Sequence, residues 1–529
     1  MQPIHRRALL QTALAGGAFC LLPMAASALT TPTPDAAEPF SFDILKEMAR
    51  TLAASPYVPQ DIPDADVLEE VDYDEHNQIS FRPEDTLFQD QGNASPVQMF
   101  FPGKFFKSPV RIFTLQDGLA HEVNFALDMF DIPSGNPAEG LTNTHGFAGF
   151  RVMDAETKLD WMAFLGASYW RTSGYSGQFG LSVRGLALDT AINGPEEFPL
   201  FTRFWLEPAE NGDLTAYALM ESPRATGAYR IQSHRDNGVI QQVSASVYLR
   251  GDVERLGIAP LTSMFWYGKN SRFLAADWRP EIHDSDGLQI LTGSGEQIWR
   301  PLNNPPHTMV NTFQAPNVQG FGLMQRERDF VQYQDDGVFY EKRASVWVAP
   351  EGDWGDGNVS LVELRTDDEI HDNIVAFWQP NGPAAAGNSY DFAYKLTWLE
   401  DSPATTDAAR FIATRVGVGG NPGQVRPEDT VKVVCDFDGH TLTGFGRGDG
   451  VTVIASASGA VVGNESVYPV VGQDYWRAMF DIDFSAVAEG DDTPIDVRMY
   501  VAREGSAETE TLLLQFFPSQ LRKLLAAAA

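Results

Sequence analysis

Cysteine is nearly absent: the 529 residues carry two, Cys20 and Cys435. Cys20 falls in a stretch expected to be removed. The mature chain then keeps one thiol, so an internal disulfide and a thiolate metal cluster are excluded. Cys435 sits in an apolar alternating run, VKVVCDF, and is expected to be a buried thiol. Positive charge is scarce too. There are 38 Lys and Arg against 71 Asp and Glu, a net charge of -33. Such a surface repels nucleic acid and anionic membranes, and no nucleic-acid partner is expected. It suits a soluble protein handling a neutral polymer, and equally suits plain solubility. Beyond the first two dozen residues no run is apolar enough to cross a membrane, so no membrane insertion is expected. H-E-x-x-H does not occur, and the glycine-rich run 417–423 lacks the lysine of a phosphate loop. The DSDG run lacks the third ligand and distal Glu of a calcium loop. Neither a metal nor a cofactor is called for.

Aromatic and turn-forming residues are plentiful instead. Hydrophobic residues reach 43%, with 34 Phe and 11 Trp, enough for a large packed core. The 46 Gly and 33 Pro favour many strands joined by turns. This length holds about two or three domains.

Residues 1–28 read as a twin-arginine signal peptide. Arg6 and Arg7 precede an apolar run to Leu22, and Ala26-Ser27-Ala28 offers an A-x-A cleavage site. Removing it takes away two arginines and no acid, moving the net charge from -33 to -35. The twin-arginine export machinery is the expected partner and the periplasm the expected compartment. A helix with one apolar face is predicted over 41–54 from Phe42, Leu45, Met48, Ala49 and Leu52. Short β-type runs dominate from about residue 70, making 38–400 a large all-β domain. The stretch 161–188 spaces Trp161, Phe164, Tyr169, Trp170, Tyr175 and Phe179 with glycines. It reads as a groove wall or as a buried aromatic layer. A small, polar run, DSPATTDAA (401–409), is the best boundary. Beyond it come alternating runs at 411–418, 430–437, 451–458, 466–471, 477–484, 495–502 and 510–517. They predict an immunoglobulin-like sandwich over 410–520. LRKLLAAAA (521–529) reads as a frayed end.

The densest chemistry lies in 262–300. Trp266 and Tyr267 are followed by Arg279 and then by the acidic turn HDSDG (283–287). Aromatic faces stack on sugar rings, and Asp, Asn and Arg hydrogen-bond hydroxyls. A second acidic run, TDDEIHDN (366–373), precedes the strand-like IVAFW. Glycoside hydrolysis needs one protonated carboxyl and one carboxylate, held roughly 6.5–9.5 Å apart in an inverting enzyme. The residues alone offer Asp284 or Asp286 from the first run, and Glu369 or Asp372 from the second. The same stretches also read as a β-rich core with capped polar turns. His283 and His371 each precede one of these aspartates, but two such pairs do not make a metal site.

Several long motifs occur together: FFPGKFF (100–106), FLGASYWR (164–171), APLTSMFWYGKNSR (259–272), DWRPEIHDSDGL (277–288), GFGLMQRERDF (320–330), WVAPEGDWGDGNVSLVEL (347–364) and DNIVAFW (372–378). In these the chain resembles the periplasmic glucan biosynthesis G/D family (MdoG/OpgG and OpgD). The twin-arginine leader brings it closer to the D type. The resemblance implies a large N-terminal β-supersandwich of the galactose-mutarotase type with a long cleft, joined to a smaller immunoglobulin-like β-sandwich. It implies a β-1,2-glucan backbone as substrate, with anomer-inverting hydrolysis or transglycosylation as the reaction. The family's catalytic carboxylates fall on Asp284 and Asp372, with Glu369 in support. Crowding of Asp372 by Glu369 would make Asp372 the general acid and Asp284 the base, and the roles can be exchanged. Trp266, Tyr267, Arg279, Tyr340 and Trp354 are the candidates for gripping the glucan. The rival reading is a non-catalytic factor that binds nascent glucan and assists its release or branching. A homodimer is compatible with either.

Overall fold

The computed structural model describes residues 37–528 except 93, 143, 144, 405 and 406. The signal peptide expected over 1–28 lies outside the described residues.

Alternation builds most of the fold. In Val239–Leu249, Val239, Gln241 and Val243 are buried while Ile240, Gln242 and Ser244 are half exposed. This is the period-two pattern of a strand with one face inside. It pairs antiparallel with Ala225–Arg235 and with Ser389–Leu399, in the middle of a 16-stranded sheet. A second sheet, of ten strands, packs against it. Through its centre run Ile374–Pro380, Leu256–Ser263, Ser182–Arg184, Tyr169–Thr172, Asp160–Leu165 and Gly149–Met153 in spatial order. Phe150, Phe164 and Phe204 interlock between the layers, with ring centroids 4.8–5.3 Å apart. One polar tie crosses the core. The Gln241 carbonyl accepts from the indoles of Trp170 (3.0 Å) and Trp398 (2.9 Å), and its amide donates to Ser233 (3.0 Å). That buried amide is satisfied on both ends, as burial demands. The molecule is all-β, as expected.

All seven runs of the tail are strands. Four of them, Phe411–Val418, Thr430–Asp438, Val461–Pro469 and Tyr475–Asp483, form their own sheet. The other three, Val451–Ala457, Ile495–Arg503 and Thr511–Phe516, continue the 16-stranded sheet. The junction is a parallel pairing of Thr511–Phe516 with Gln297–Pro301. A second hydrophobic core lies between these layers and takes in Trp299, Met324 and Trp347 from the N-terminal part. Cys435 is buried there, and burial pushes its thiol pKa up to about 12. The tail is thus bonded into the larger sheet rather than hung from it.

The predicted helix is present at Phe42–Ala53, with Ser41 capping the N–H of Ile44 at 3.2 Å. The expectation of a frayed end is corrected. Pro518–Ala528 is a helix that buries Leu521 and Leu524, whose spacing of three puts both on one face. Among the described residues no helix is long and apolar enough to cross a membrane.

Gly287, the last residue of HDSDG, is required by a close approach. A Cβ there would lie 2.1 Å from the Trp299 ring. The guanidinium of Arg326 lies over that ring at 3.6 Å and pairs with Glu510 of the tail at 2.5 Å. The acidic turn is therefore clamped between sheet and tail.

Candidate active site

The two acidic runs meet around one short step of backbone. The strand Leu256–Ser263 leads through Met264 into Phe265–Tyr267. The Asp284 N–H donates to the Met264 carbonyl at 2.8 Å. Asn373 holds the next residue. Its carbonyl accepts from the Phe265 N–H (2.8 Å) and its amide donates to the Phe265 carbonyl (2.9 Å). Asp284 and the neighbour of Asp372 are thus anchored on consecutive residues, although far apart in sequence.

The side chains around them form a connected set. Asp284 is largely buried and ion-paired with Arg343. The Arg343 guanidinium lies over the Tyr340 ring at 4.3 Å. The Tyr340 hydroxyl donates to Glu369 Oε2 at 2.5 Å, and Arg279 donates to the same oxygen at 3.0 Å. Arg279 also binds Asp335 (2.6 Å) and Asp277 (3.0 Å). Burial works against its charge, but the bonds to Asp277, Glu369 and Asp335 carry its pKa above the ordinary arginine value. On the other side, Asp372 is half-buried and within electrostatic reach of Tyr169 and Arg171. Burial pushes the Tyr169 pKa up and pulls the Arg171 pKa down.

One glycine-rich loop, 173–181, touches both halves. Gly180 packs so closely on Arg343 that a Cβ would lie 3.0 Å from its side chain. Phe179, next to it, lies 5.5 Å from the Arg171 guanidinium. The stretch 161–188 therefore serves in two ways. Trp161, Phe164 and Trp170 are buried layer, and the loop after them borders the site.

The rest of the acidic turn is structural. Asp286 is buried, and its carboxylate accepts from the backbone N–H groups of Arg326 (3.0 Å) and Glu327 (2.9 Å). Burial pushes its pKa up. His283 is fully buried, hydrogen-bonded to Gln325 (3.0 Å) and Glu281 (3.2 Å). His371 is exposed.

Of the residues picked for gripping sugar, Trp266 alone keeps that option open, being partly exposed beside Tyr267. Tyr267 is corrected. It is wholly buried, with its hydroxyl on the Arg279 carbonyl at 3.1 Å, and burial pushes its pKa up to about 12. Tyr340 is wholly buried as well, so it holds Glu369 instead of presenting its ring. Arg279 has its donors on three carboxylates, which makes it an organiser of the loops. Trp354 is elsewhere. It packs edge-on against Trp378, Phe392 and Tyr394, at the far end of Ile374–Pro380 from Asp372. Six residues of strand put that end about 20 Å away.

With this geometry in hand, comparison with known proteins is informative. The profile of the family described as "Periplasmic glucan biosynthesis protein, MdoG" matches residues 40–516. The chain belongs to the MdoG family. It is 45% identical over 500 residues to "Glucans biosynthesis protein D 2" of Ralstonia nicotianae, covering 92% of each chain. It is 42% identical over 509 residues to "Probable glucans biosynthesis protein D" of Shewanella oneidensis, covering 95% of this chain and 93% of that one. A glucans biosynthesis protein D of Stenotrophomonas maltophilia is 42% identical over 485 residues, covering 91% and 90%. Among solved structures, a galactose mutarotase related enzyme from Lactobacillus acidophilus overlaps 48% of this chain and 91% of its own, at 12% identity and a TM-score of 0.21. So loose an overlap carries no argument.

Two residues of this candidate site escaped the sequence reading. Arg343 follows Tyr340 by three positions, and nothing in YEKRAS marks it as the partner of Asp284. Arg171 closes the FLGASYWR motif, where the aromatics drew attention away from it. Strand alternation could have found it. Trp170 points inward to Gln241, so Arg171 must point to the opposite face.

Proposed function

We propose that the protein acts in the periplasm on the β-1,2-glucan backbone, by anomer-inverting hydrolysis or transglycosylation, after export by the twin-arginine route. Asp372 is the general acid. Its O–H protonates the glycosidic oxygen as the bond to the anomeric carbon breaks. Asp284 is the base, taking a proton from the water or sugar hydroxyl that attacks that carbon from the opposite face. The observation that carries this reading is the anchoring of both acidic runs on Met264 and Phe265, with Asp284 ion-paired to Arg343 and Asp372 half-buried on the other side. Arg343 opposite Asp284 suits a carboxylate that works ionised. Glu369 is already engaged by Arg279 and Tyr340, so its part is to hold the loop that carries Asp372. This replaces crowding by Glu369 as the reason for the assignment.

One observation favours the second reading, a non-catalytic glucan-binding factor. Asp284 is tied to Arg343 and nearly closed off. A base in that position must part from its cation before it can reach water.

Incubation of the mature protein with linear β-1,2-glucan separates the two. New chain lengths with inverted anomers, followed by proton NMR, are expected from the wild type. Asp372→Asn is expected to reduce the rate by about 10²–10⁴-fold with an unchanged melting temperature. Binding without products would leave the factor reading. Full activity in Asp372→Asn would remove the assignment.

A further inference from the structure

The outer face of the ten-stranded sheet carries a feature that the reaction above does not use. Phe150 and Val152 are buried in the core, so Arg151 between them points outward. The same alternation turns Ala163 and Arg171 outward. Register places the three in one row across neighbouring strands: Arg151 opposite Ala163, and Ala163 opposite Arg171. Two strand spacings put the arginines about 10 Å apart, with only a methyl group between them.

Neither arginine has a carboxylate partner. The Arg171 side chain makes no hydrogen bond or ion pair with any described residue, and its guanidinium lies 5.5 Å from the Phe179 ring. Arg151 donates once, to Gln98 (2.8 Å), and its Nε is buried without a partner. Arg184, one strand further along, is bound by Glu196 and Thr262. Guanidinium donors held half-buried without acceptors are costly unless something else supplies oxygens.

The local charge says what supplies them. Asp160 acts electrostatically on both arginines, and Asp372 acts on Arg171. The row is close to neutral as a whole, in a protein of strongly negative charge, and an anion would meet those carboxylates. A neutral polyol meets only donors and acceptors. The planar fork of arginine matches pairs of hydroxyl oxygens on a sugar ring.

We propose that Arg171, with Arg151 beyond it, grips the hydroxyls of a neutral glucan as it leaves Asp372 and runs across the strands of the ten-stranded sheet. The proposal rests on the glucan reading and adds the path and the residues that hold the chain there.

The test uses full-length mature protein in the Asp372→Asn background, so that ligand is not consumed. Linear β-1,2-gluco-oligosaccharides of increasing length are titrated calorimetrically, with β-1,3 and β-1,4 series alongside. Arg171→Met is expected to weaken binding at every length by about tenfold or more. Arg171→Lys recovers only part of that, and also decides the matter if the Met variant does not fold. Arg151→Met weakens binding of the longer oligosaccharides and spares the shortest. In the active enzyme, Arg171→Met raises KM more than it lowers kcat. Binding by Arg171→Met or Arg171→Lys within about twofold of the parent overturns the proposal and leaves the glucan reading intact. Failure of the parent to bind any of the three series overturns both.

Discussion

The motif-rich stretch 259–378 and the tail 411–517 are built from the same kind of strand and spend their polar residues in opposite ways. In the tail, buried acids are met by cations that keep contact with water. Asp436, for example, is held between Arg477 (2.7 Å) and Arg415 (2.6 Å). In the motif-rich stretch they turn inward. Arg300 and Glu363 pair at 2.9 Å with almost no exposure, and Lys269 is ion-paired with Glu327. Inward charge costs desolvation and is a poor source of stability, but it holds side chains in one arrangement. The tail shows what the fold needs in order to stand. The motif-rich stretch shows what it carries beyond that.

The comparison is most severely tested where the two regions join. Arg326 reaches from the motif-rich stretch to Glu510 of the tail, and Glu510 also accepts from the Phe411 N–H (2.8 Å) and the Gln297 amide (2.9 Å). Glu510→Ala leaves a buried guanidinium unpaired and is expected to destabilise by about 3–5 kcal/mol in chemical denaturation. It should also lower glucan activity, because Arg326 covers the ring lying on Gly287. A variant with wild-type stability would show that the regions are merely adjacent. Next comes Gln241→Leu, which strands the indole N–H groups of Trp170 and Trp398. A loss of roughly 2–4 kcal/mol is expected, with activity at saturating glucan little changed, since the tie lies in the core between the sheets. The smallest effect belongs to the Asp436 pairing of the tail and is read against pH. Burial would raise the pKa of Asp436, but Arg477 and Arg415 outweigh it and hold it below the ordinary value. A depressed carboxylate contributes stability above its unfolded pKa, near 3.9, that is lost as pH falls through its folded pKa. Asp436→Asn should therefore cost on the order of 2 kcal/mol at neutral pH and flatten the decline below pH ~4. A decline as steep as in the wild type would place the acid-sensitive group elsewhere.

Sequence reading succeeded in proportion to periodicity. The tail's strands were readable because TVKVVCDF and IDVRMYVA alternate cleanly and meet water on one side. The helix at Phe42–Ala53 was readable from its apolar spacing and its serine cap. The end of the chain was misread because LRKLLAAAA looks unanchored until Leu521 and Leu524 find the second core. Around the acidic runs, composition picked out two stretches that the fold brings together, and assigned single side chains duties that their surroundings do not allow. Tyr267 and Tyr340 are aromatic, yet burial decides their roles, and Trp354 packs on Trp378 away from Asp372; both outcomes depend on contacts from distant parts of the chain. Arg343 and Arg171 matter through what lies opposite them in space, and no local pattern encodes that.

The parallel pairing of Thr511–Phe516 with Gln297–Pro301 has a consequence for how the molecule is made. Gln297 and Glu510, which bond across this seam, stand 213 positions apart. The larger sheet therefore cannot gain its tail strands until the ribosome has released almost the whole polypeptide. Closure that late is slow and leaves a strand edge open in the meantime. A nascent chain truncated before residue 511 would be a sticky half-product, so the cell has reason to finish and inspect this protein before sending it anywhere.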